Sequence, residues 1–450
     1  MSVKNSVYNI PAGLPFAKTL ARQLFDEHSD NQEQLADTTI LLPTRRACRV
    51  MQNAFLNVSE GKPLILPNLQ AIGDIDEEEL SISMASQDDL EELLNLPAGI
   101  NPLKRQILLA RLIDSADTFT QGFHHALFLA QALGQFMDQV YTENLELGAL
   151  KDIVPEEFAN HWQITLKFLE ILSESWPKIL KEQNLIDVAD RRNQLILGLS
   201  KYWQNTPPQK PVIAAGTTGS IPAVAGLLSV IANLPQGKIV LPGFDESIDK
   251  ESWSALEETH PQYGFKQLLE RIGLEHEHVQ PWPQCPSQTE SHARRILAHE
   301  LMRPAKTTSS WTNLAQGQST KETFTAAMKN LNWFECDDEH EEAKLIAVLM
   351  RETLEDPNKT AALITPNRNL ARRVAMTCRR WGIELDDSGG QNLAQTQIGS
   401  FFALINQVCL ENLAPAAFLS LLKHSLYVSK DKQNIQSLEK MALRGPKPKG

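Results

Sequence analysis

The sequence predicts an α/β protein with two parallel-sheet domains and a helical insertion in the first domain. Two short apolar runs, Pro211–Ala215 and Lys238–Leu241, flank a helix of small residues, as a parallel strand–helix–strand unit requires. A long stretch before this unit has helical spacing only, and strand and helix patterns alternate again near the end. The predicted regions are 1–100 and 206–302 (first domain), 101–205 (helical insertion), 303–328 (linker) and 329–450 (second domain).

Composition indicates a folded protein with an acidic surface. Apolar residues make up 42% of the 450 residues and the net charge is −12, so a nucleic-acid site would have to be a local basic patch. The five cysteines show no CxxC spacing, which favours reduced thiols over a zinc site or a disulfide framework. No signal peptide or 18-residue apolar stretch is present. We therefore expect a cytoplasmic protein with no membrane partner.

The first domain begins with strands and helices in alternation. Strands are predicted at Val7–Ile10 and Thr38–Leu42, and helices at 15–28 and after Pro43–Arg46. Leu64–Leu66 and Leu69–Ile72 are expected to form another strand or the approach to one. The acidic run Asp74–Glu92 predicts a solvated loop or an exposed helix.

The turn between the two central strands is a candidate ligand site. Gly216–Pro222 places Ser220 as a helix N-cap and Pro222 in the first helical turn. In an open parallel sheet, ligands bind beyond the carboxyl ends of the strands, where this turn and Gly243–Glu246 should lie. An α/β core segment without a ligand remains the alternative.

The second domain repeats the alternation after a polar linker. A helix is predicted at Ser291–Leu301 before that linker. The second domain is predicted to contain strands Leu331–Glu335 and Lys359–Thr365, and helices Glu341–Leu354, Asn369–Trp381 and Thr396–Glu411.

The first helix start resembles a phosphate loop that has lost its glycines. Such a loop needs the pattern G-x-x-x-x-G-K-[ST], because glycines let backbone N–H groups surround phosphate while Lys and Ser/Thr reach phosphate and magnesium. Residues 12–19 read AGLPFAKT, so Lys18 and Thr19 are present while alanine replaces both glycines. Pro15 also removes one N–H donor. We therefore predict a degenerate nucleotide site that retains Gly13, Lys18 and Thr19.

Asp245 could belong to the same degenerate site. It follows a buried strand as a magnesium-binding carboxylate would, but Pro242–Phe244 separates it from the strand end. A carboxylate that caps the loop is the favoured alternative. No spacing in the sequence nominates a catalytic residue or a metal site.

Two basic clusters follow predicted strands. Thr44, Arg45 and Arg46 open one helix, and Arg368 and Arg372 open another. Helix starts after parallel strands present N–H groups, and arginine there suits phosphate or a single-stranded backbone. We predict nucleic-acid binding at both clusters, with solvated surface as the alternative.

Several segments, taken in their order along the chain, resemble one known family. The chain is similar to the alphaproteobacterial type of AddB, the second subunit of the AddAB helicase–nucleases. The matching segments are Ile10–Phe16, Leu42–Ala47, Ile72–Asp76, Ala214–Pro222, Leu241–Asp245, His260–Gln262, Ala361–Arg373 and Arg444–Pro446.

The resemblance implies a superfamily 1 helicase-like core made of two RecA-like domains, which share the P-loop NTPase fold. It implies a role in double-strand break repair, in which AddB binds one strand of a DNA end that is processed for recombination. The AddB core of this family has usually lost ATPase function, and AddA supplies the motor with its ATP and magnesium. Thr44 and Arg45 fall in the segment that resembles the strand-contacting loop.

The chain departs from the family at its end. Members carry a C-terminal nuclease domain, in many cases with an iron–sulfur cluster, and this sequence provides ligands for neither. We therefore expect an N-terminal portion without nuclease activity and without a cofactor of its own. Two alternatives stay open: an active DNA-dependent ATPase that uses Lys18 and Thr19, and an α/β small-molecule enzyme with its site at Gly216–Ser220.

Overall fold

The computed structural model describes most of the chain, which divides into two compact units, residues 1–331 and 332–450. The acidic run Asp74–Glu92 lies outside the described residues. The structure describes residues 6–28, 32–72, 96–115, 123–145, 171–283, 285, 291–314, 317–390, 392–428 and 432–443.

A six-stranded parallel sheet forms the centre of the first unit. Its order is β3-β2-β6-β7-β1-β8, and a second sheet pairs β4 with β5. All of these pairings are parallel. The α/β class and the predicted strands of the first domain are confirmed. The strands are β1 (Val7–Ile10), β2 (Thr39–Leu42), β3 (Asn68–Ala71), β4 (Ala98–Gly99), β5 (Leu185–Ile186), β6 (Val212–Ala215), β7 (Gly237–Pro242) and β8 (Gln280–Pro281).

Helices connect these strands and continue after the last one. Those of the first unit are α1 (Phe16–Glu27), α2 (Gln32–Asp37), α3 (Arg45–Val58), α4 (Pro102–Ser115), α5 (Phe123–Thr142), α6 (Trp176–Glu182), α7 (Val188–Asn205), α8 (Pro222–Asn233), α9 (Lys250–Ser254), α10 (Tyr263–Ile272), α11 (Ser291–Leu301), α12 (Trp311–Leu314) and α13 (Gln318–Met328).

Helices cover both faces of the large sheet. Ile213 and Ala215 of β6 pack with α1, α2 and α3, whereas Val212 and Ala214 of the same strand pack with α7, α8 and α10. Successive side chains of a strand point to opposite faces, so all four residues of β6 are buried. This two-sided burial explains why the parallel strands read as continuous apolar runs.

The start of α8 corrects one sequence prediction. Pro222 stands in the first turn as predicted, but the N-cap is Ile221 and no side chain caps the helix. Ser220 therefore lies one residue too early to act as the N-cap. The turn is organised instead by Thr217, whose hydroxyl accepts a hydrogen bond from the Gly219 N–H at 3.3 Å.

A buried ion pair joins the helices between β3 and β6. Arg105 Nε lies 2.7 Å from Asp187 Oδ1, and Trp176 Nε1 donates to Asp187 Oδ2 at 2.8 Å. Asp187 is fully buried, and Asp138 also contacts Arg105 at 2.9 Å. Burial raises the pKa of Asp187, while Arg105 and the Trp176 hydrogen bond oppose that rise. The two-residue strands β4 and β5 beside this pair were not predicted.

Residues 303–328 are largely helical in the structure, which differs from the predicted polar linker. They contain a 3-10 helix at Ala305–Ser310, then α12 and α13. Arg294 of α11 donates to Ala327 O at 3.3 Å and to Lys329 O at 2.6 Å. These two hydrogen bonds join α11 to the end of α13.

The second unit contains helices but, within its described residues, no strand. Its helices are α14 (Glu339–Thr353), α15 (Arg368–Arg379), α16 (Gln397–Leu410), α17 (Pro415–Leu422) and α18 (Lys432–Leu438).

The strands predicted at Leu331–Glu335 and Lys359–Thr365 have no ladder partners, so the strand prediction is wrong there. Leu363 packs beside the core of α14 and α15, but the side chains of Trp333 and Ile364 are 90% and 95% exposed. A strand needs neighbours for its backbone groups and cover for its apolar faces.

Replacing Asp187 with asparagine should destabilise the first unit. The Asp187→Asn variant keeps the shape of the side chain but leaves the buried Arg105 without its closest counter-charge. We expect the free energy of unfolding to fall by about 3 kcal/mol, measured by urea denaturation followed by circular dichroism. The control is Asp37→Asn, which breaks an exposed pair with Lys210 at 2.6 Å and should cost less than about 1 kcal/mol. Equal losses in the two variants would contradict the assignment.

Candidate functional site

A cleft of the first unit lies where the chain leaves two neighbouring strands for opposite faces of the sheet. After β1 the chain forms α1 on one face, and after β7 it continues to α10 on the other face. A crevice opens at such a point beyond the carboxyl ends of the strands, and ligands commonly bind there. The cleft has a volume of about 220 Å³ and is lined by Pro11, Ala12, residues 243–247 and one side of α11.

A buried amide on β1 positions the loop that follows β7. Asn9 is fully buried, and its Oδ1 accepts from the Phe244 N–H at 2.9 Å. Its Nδ2 donates to Phe244 O at 3.0 Å and to Glu246 Oε1 at 2.6 Å. The Glu246 carboxylate is therefore held at the cleft. Sequence analysis missed Asn9, although a polar residue inside an apolar strand was the available signal.

Gln262 fixes the same loop from the opposite side. Its Nε2 donates to Gly243 O at 3.1 Å, and its Oε1 accepts from the Asp245 N–H at 3.0 Å. His260 Nδ1 accepts from the Gln262 N–H, so the ring proton lies on Nε2, which donates to Met302 O at 2.9 Å. The loop after β7 is thus rigidly placed relative to the end of α11.

Asp245 accepts a hydrogen bond from His299 of α11. Asp245 Oδ2 lies 2.6 Å from His299 Nδ1, and the Ser247 hydroxyl donates to Asp245 Oδ1 at 2.5 Å. Burial alone would raise the pKa of Asp245, but the hydrogen bonds from His299 and Ser247 lower it overall. The same bond to Asp245 raises the pKa of His299. The structure therefore places Asp245 in contacts that fasten the loop, as the loop-capping alternative expects.

The remnants of the phosphate loop lie between β1 and α1. Lys18 and Thr19 are in the first turns of α1, and Lys18 is exposed. Gly13 has φ +89°, and a Cβ at that position would lie 2.5 Å from the Cβ of Ser291. The need for glycine at position 13 is thus explained by the backbone conformation and the close approach of α11. A phosphate ligand is not required to explain it.

The turns after β1, β2 and β6 meet at Gly216. This residue has φ +76°, and a Cβ there would lie 3.4 Å from Phe16 Cε1 and 3.8 Å from Pro43 Cδ. The starts of α1 and α3 therefore lie beside the Gly216–Ser220 turn. Three segments far apart in sequence form one edge of the sheet.

The first basic cluster opens α3 at this edge. Thr44 caps the helix, because its hydroxyl oxygen accepts from the Ala47 N–H at 3.1 Å. Arg45 and Arg46 occupy the first turn, are exposed, and have no acidic residue with them in that turn. The N–H groups and the positive end of the helix dipole at a helix start favour anions. The arrangement therefore suits a bound phosphate backbone.

The second basic cluster lies in the second unit, and one of its two arginines forms hydrogen bonds within the protein. Arg368 donates to both carboxylate oxygens of Asp387, at 3.0 and 2.7 Å, and to Gly390 O at 3.0 Å. Arg372 lies one turn further along α15 and is exposed. Since Asp387 neutralises Arg368, this cluster offers less free positive charge than the sequence suggests.

Comparison with known proteins does not identify the chain. A scan against protein-family models finds no match, and a search of curated proteins finds none either. Within the described residues, no cluster of three or more His, Cys, Asp or Glu side chains could hold a metal ion. No described helix is both long and apolar enough to cross a bilayer.

The Asp245–His299 pair should make stability depend on pH. Because the pKa of His299 is raised above 6.5, its contribution is complete below that value and is lost as pH rises through the raised pKa. Because the pKa of Asp245 is lowered below 3.8, its contribution is present above that value and is lost as pH falls through the lowered pKa. The pair should therefore stabilise most in mildly acidic solution.

The His299→Gln variant tests this dependence. We expect the difference in melting temperature between wild type and variant to be largest near pH 6 and to shrink towards about pH 9, measured by thermal denaturation. Ser254→Ala, an exposed change, controls for general effects of pH on the fold. A difference that stays constant over this range would show that the pair is not ionic.

Proposed function

We propose that this chain is the helicase-like, DNA-binding part of a helicase–exonuclease that processes double-strand DNA ends for recombinational repair. It binds the single strand of a DNA end, as the resemblance to AddB implies. A partner subunit of the AddA type supplies the motor, together with ATP and magnesium. The complex acts in the cytoplasm.

The observation that carries the proposal is the basic start of α3 at the carboxyl edge of the sheet. Thr44 caps the helix whose first turn holds Arg45 and Arg46, and Pro43, just before it, lies beside Gly216. Backbone N–H groups, the helix dipole and two guanidinium groups then act on the same region of surface. This combination attracts a phosphate backbone even though the net charge of the whole chain is −12.

We further propose that the ATP chemistry of this unit is degenerate. The two alanines of the loop reduce its ability to surround phosphate, and Ser291 approaches Gly13 closely. Asp245 is engaged with His299 and Ser247. An active ATPase that uses Lys18 and Thr19 would need this loop to close around a triphosphate, and these contacts favour the inactive alternative.

In this proposal the first unit is a RecA-like domain and the second unit belongs to another. The parallel sheet with helices on both faces supports the first assignment. The second assignment rests on the resemblance alone, because the described residues of the second unit contain no strand.

Removing the two arginines in the first turn of α3 should weaken single-stranded DNA binding and its dependence on salt. In Arg45→Ala/Arg46→Ala, we expect affinity for a single-stranded oligonucleotide to fall about tenfold or more at moderate salt. Loss of two phosphate contacts should also reduce the slope of log K against log salt by about 1.4. Fluorescence anisotropy across a salt series measures both quantities.

A control variant distinguishes DNA binding at the start of α3 from an effect of the total charge of the protein. Arg22→Ala/Arg111→Ala also removes two exposed arginines, but from the middle of α1 and α4. Its salt slope should equal that of the wild type. If both double variants change the slope equally, the start of α3 is not the DNA site.

A further inference from the structure

The basic residues of α3 continue beyond its first turn. Arg49 is exposed and follows Arg45 and Arg46 by four and three residues, so the three guanidinium groups share one side of the helix. Among the described residues, the Arg49 side chain has no ion pair and no hydrogen bond. An exposed arginine without a partner adds a full positive charge to the surface that the proposed DNA site already uses.

The exposed side of α3 is basic and then neutral along its whole length. The helix contains three arginines and no acidic residue. From Arg45 to Asn53 this side extends about 12 Å along the helix axis. In a chain with a net charge of −12, such a helix is a local basic patch of the kind that binds nucleic acid. The exposed positions after Arg49 are Val50, Gln52, Asn53, Leu56 and Asn57.

The edge of the sheet beside α3 becomes acidic within two strands. Strands β6 and β7 follow β2 in the sheet, and the loop after β7 carries the exposed Glu246. Because neighbouring strands are about 4.8 Å apart, the end of β7 lies about 10 Å from the end of β2, which is about one Debye length. A phosphate backbone that crossed the edge towards β7 would approach this carboxylate, whereas one that follows α3 meets no acidic side chain of that helix.

Within the described helix α3, no exposed ring is available for a base to stack on. Its aromatic residue is Phe55, which is fully buried. Proteins that bind single strands usually hold the unpaired bases by stacking them on aromatic side chains. Contacts along this helix are therefore made to phosphate groups, through arginine.

We propose that a single strand bound at the start of α3 continues along the exposed side of this helix, and that Arg49 binds its next phosphate. The substrate of this surface is a single-stranded phosphodiester backbone, which it binds without reading the bases. The path rests on the proposed DNA-binding function at Arg45 and Arg46, and it gives the strand a direction from there.

Replacing Arg49 should remove one phosphate contact. In Arg49→Ala, we expect the slope of log K against log salt to fall by about 0.7 for a thymidine oligonucleotide, and affinity to fall about threefold or more. Arg49→Lys keeps the charge and should retain most of the slope. Fluorescence anisotropy of the 450-residue protein across a salt series measures both quantities. The change in slope should be the same for an abasic oligomer of equal length, because the contact is to phosphate.

Arg22→Ala is the matched control. Arg22 is also an exposed arginine, and it lies on α1, the helix that packs beside α3. Its salt slope should equal that of the wild type. If Arg49→Ala and Arg22→Ala give equal slopes while Arg45→Ala/Arg46→Ala gives a lower one, the path along α3 is overturned and the proposed function stands.

Two further outcomes would also count against the proposal. If the effect of Arg49→Ala disappears with the abasic oligomer, Arg49 contacts bases and recognition of the backbone alone is overturned. If the wild-type protein binds no single-stranded DNA at low salt, both this path and the proposed function are overturned.

Discussion

The cover of helices on both faces of the parallel sheet is the constraint on which the first unit depends. Strand β6 is buried on both sides, so its four residues must all be apolar. A polar side chain inside the sheet is tolerated only when it is fully paired, as Asn9 is. Functional groups therefore gather at the carboxyl edge, where strands give way to turns and helix starts.

That constraint also explains which elements could be predicted. Continuous apolar runs bounded by glycine or proline located β2, β6 and β7, and helical spacing located α1, α3, α8 and α11. The N-cap of α8 was misplaced because the choice between Ser220 and Ile221 depends on one backbone conformation, which composition does not encode. The two-residue strands β4 and β5 are too short to leave a pattern.

The second unit shows that local sequence patterns alone are not enough to predict strands. Leu331–Glu335 and Lys359–Thr365 have the composition of strands. A strand also needs neighbouring strands to pair with, and these cannot be inferred from a local sequence pattern. Trp333 and Ile364 are almost fully exposed, so these segments lack the cover that buries β6. For residues 303–328 the error was the reverse: the polar composition predicted a linker, and the structure contains helices there. Arg294 of α11 donates hydrogen bonds to the end of one of them, α13.

The candidate site was predicted in part. The sequence indicated Lys18, Thr19 and the basic start of α3, which are local features. It could not indicate that Asn9 holds the loop 235 residues later, or that Asp245 contacts His299 54 residues away. These contacts arise from the strand order, which places β1 beside β7.

The most direct test of the proposed DNA-binding role is the position at which single-stranded DNA crosslinks to the protein. Photo-crosslinking of a thymidine oligonucleotide to the protein, followed by peptide mapping, measures it. The account predicts crosslinks in the turns Pro43–Arg46 and Gly216–Ser220. Crosslinks confined to the opposite edge of the sheet, such as Leu234–Gly237, would contradict it.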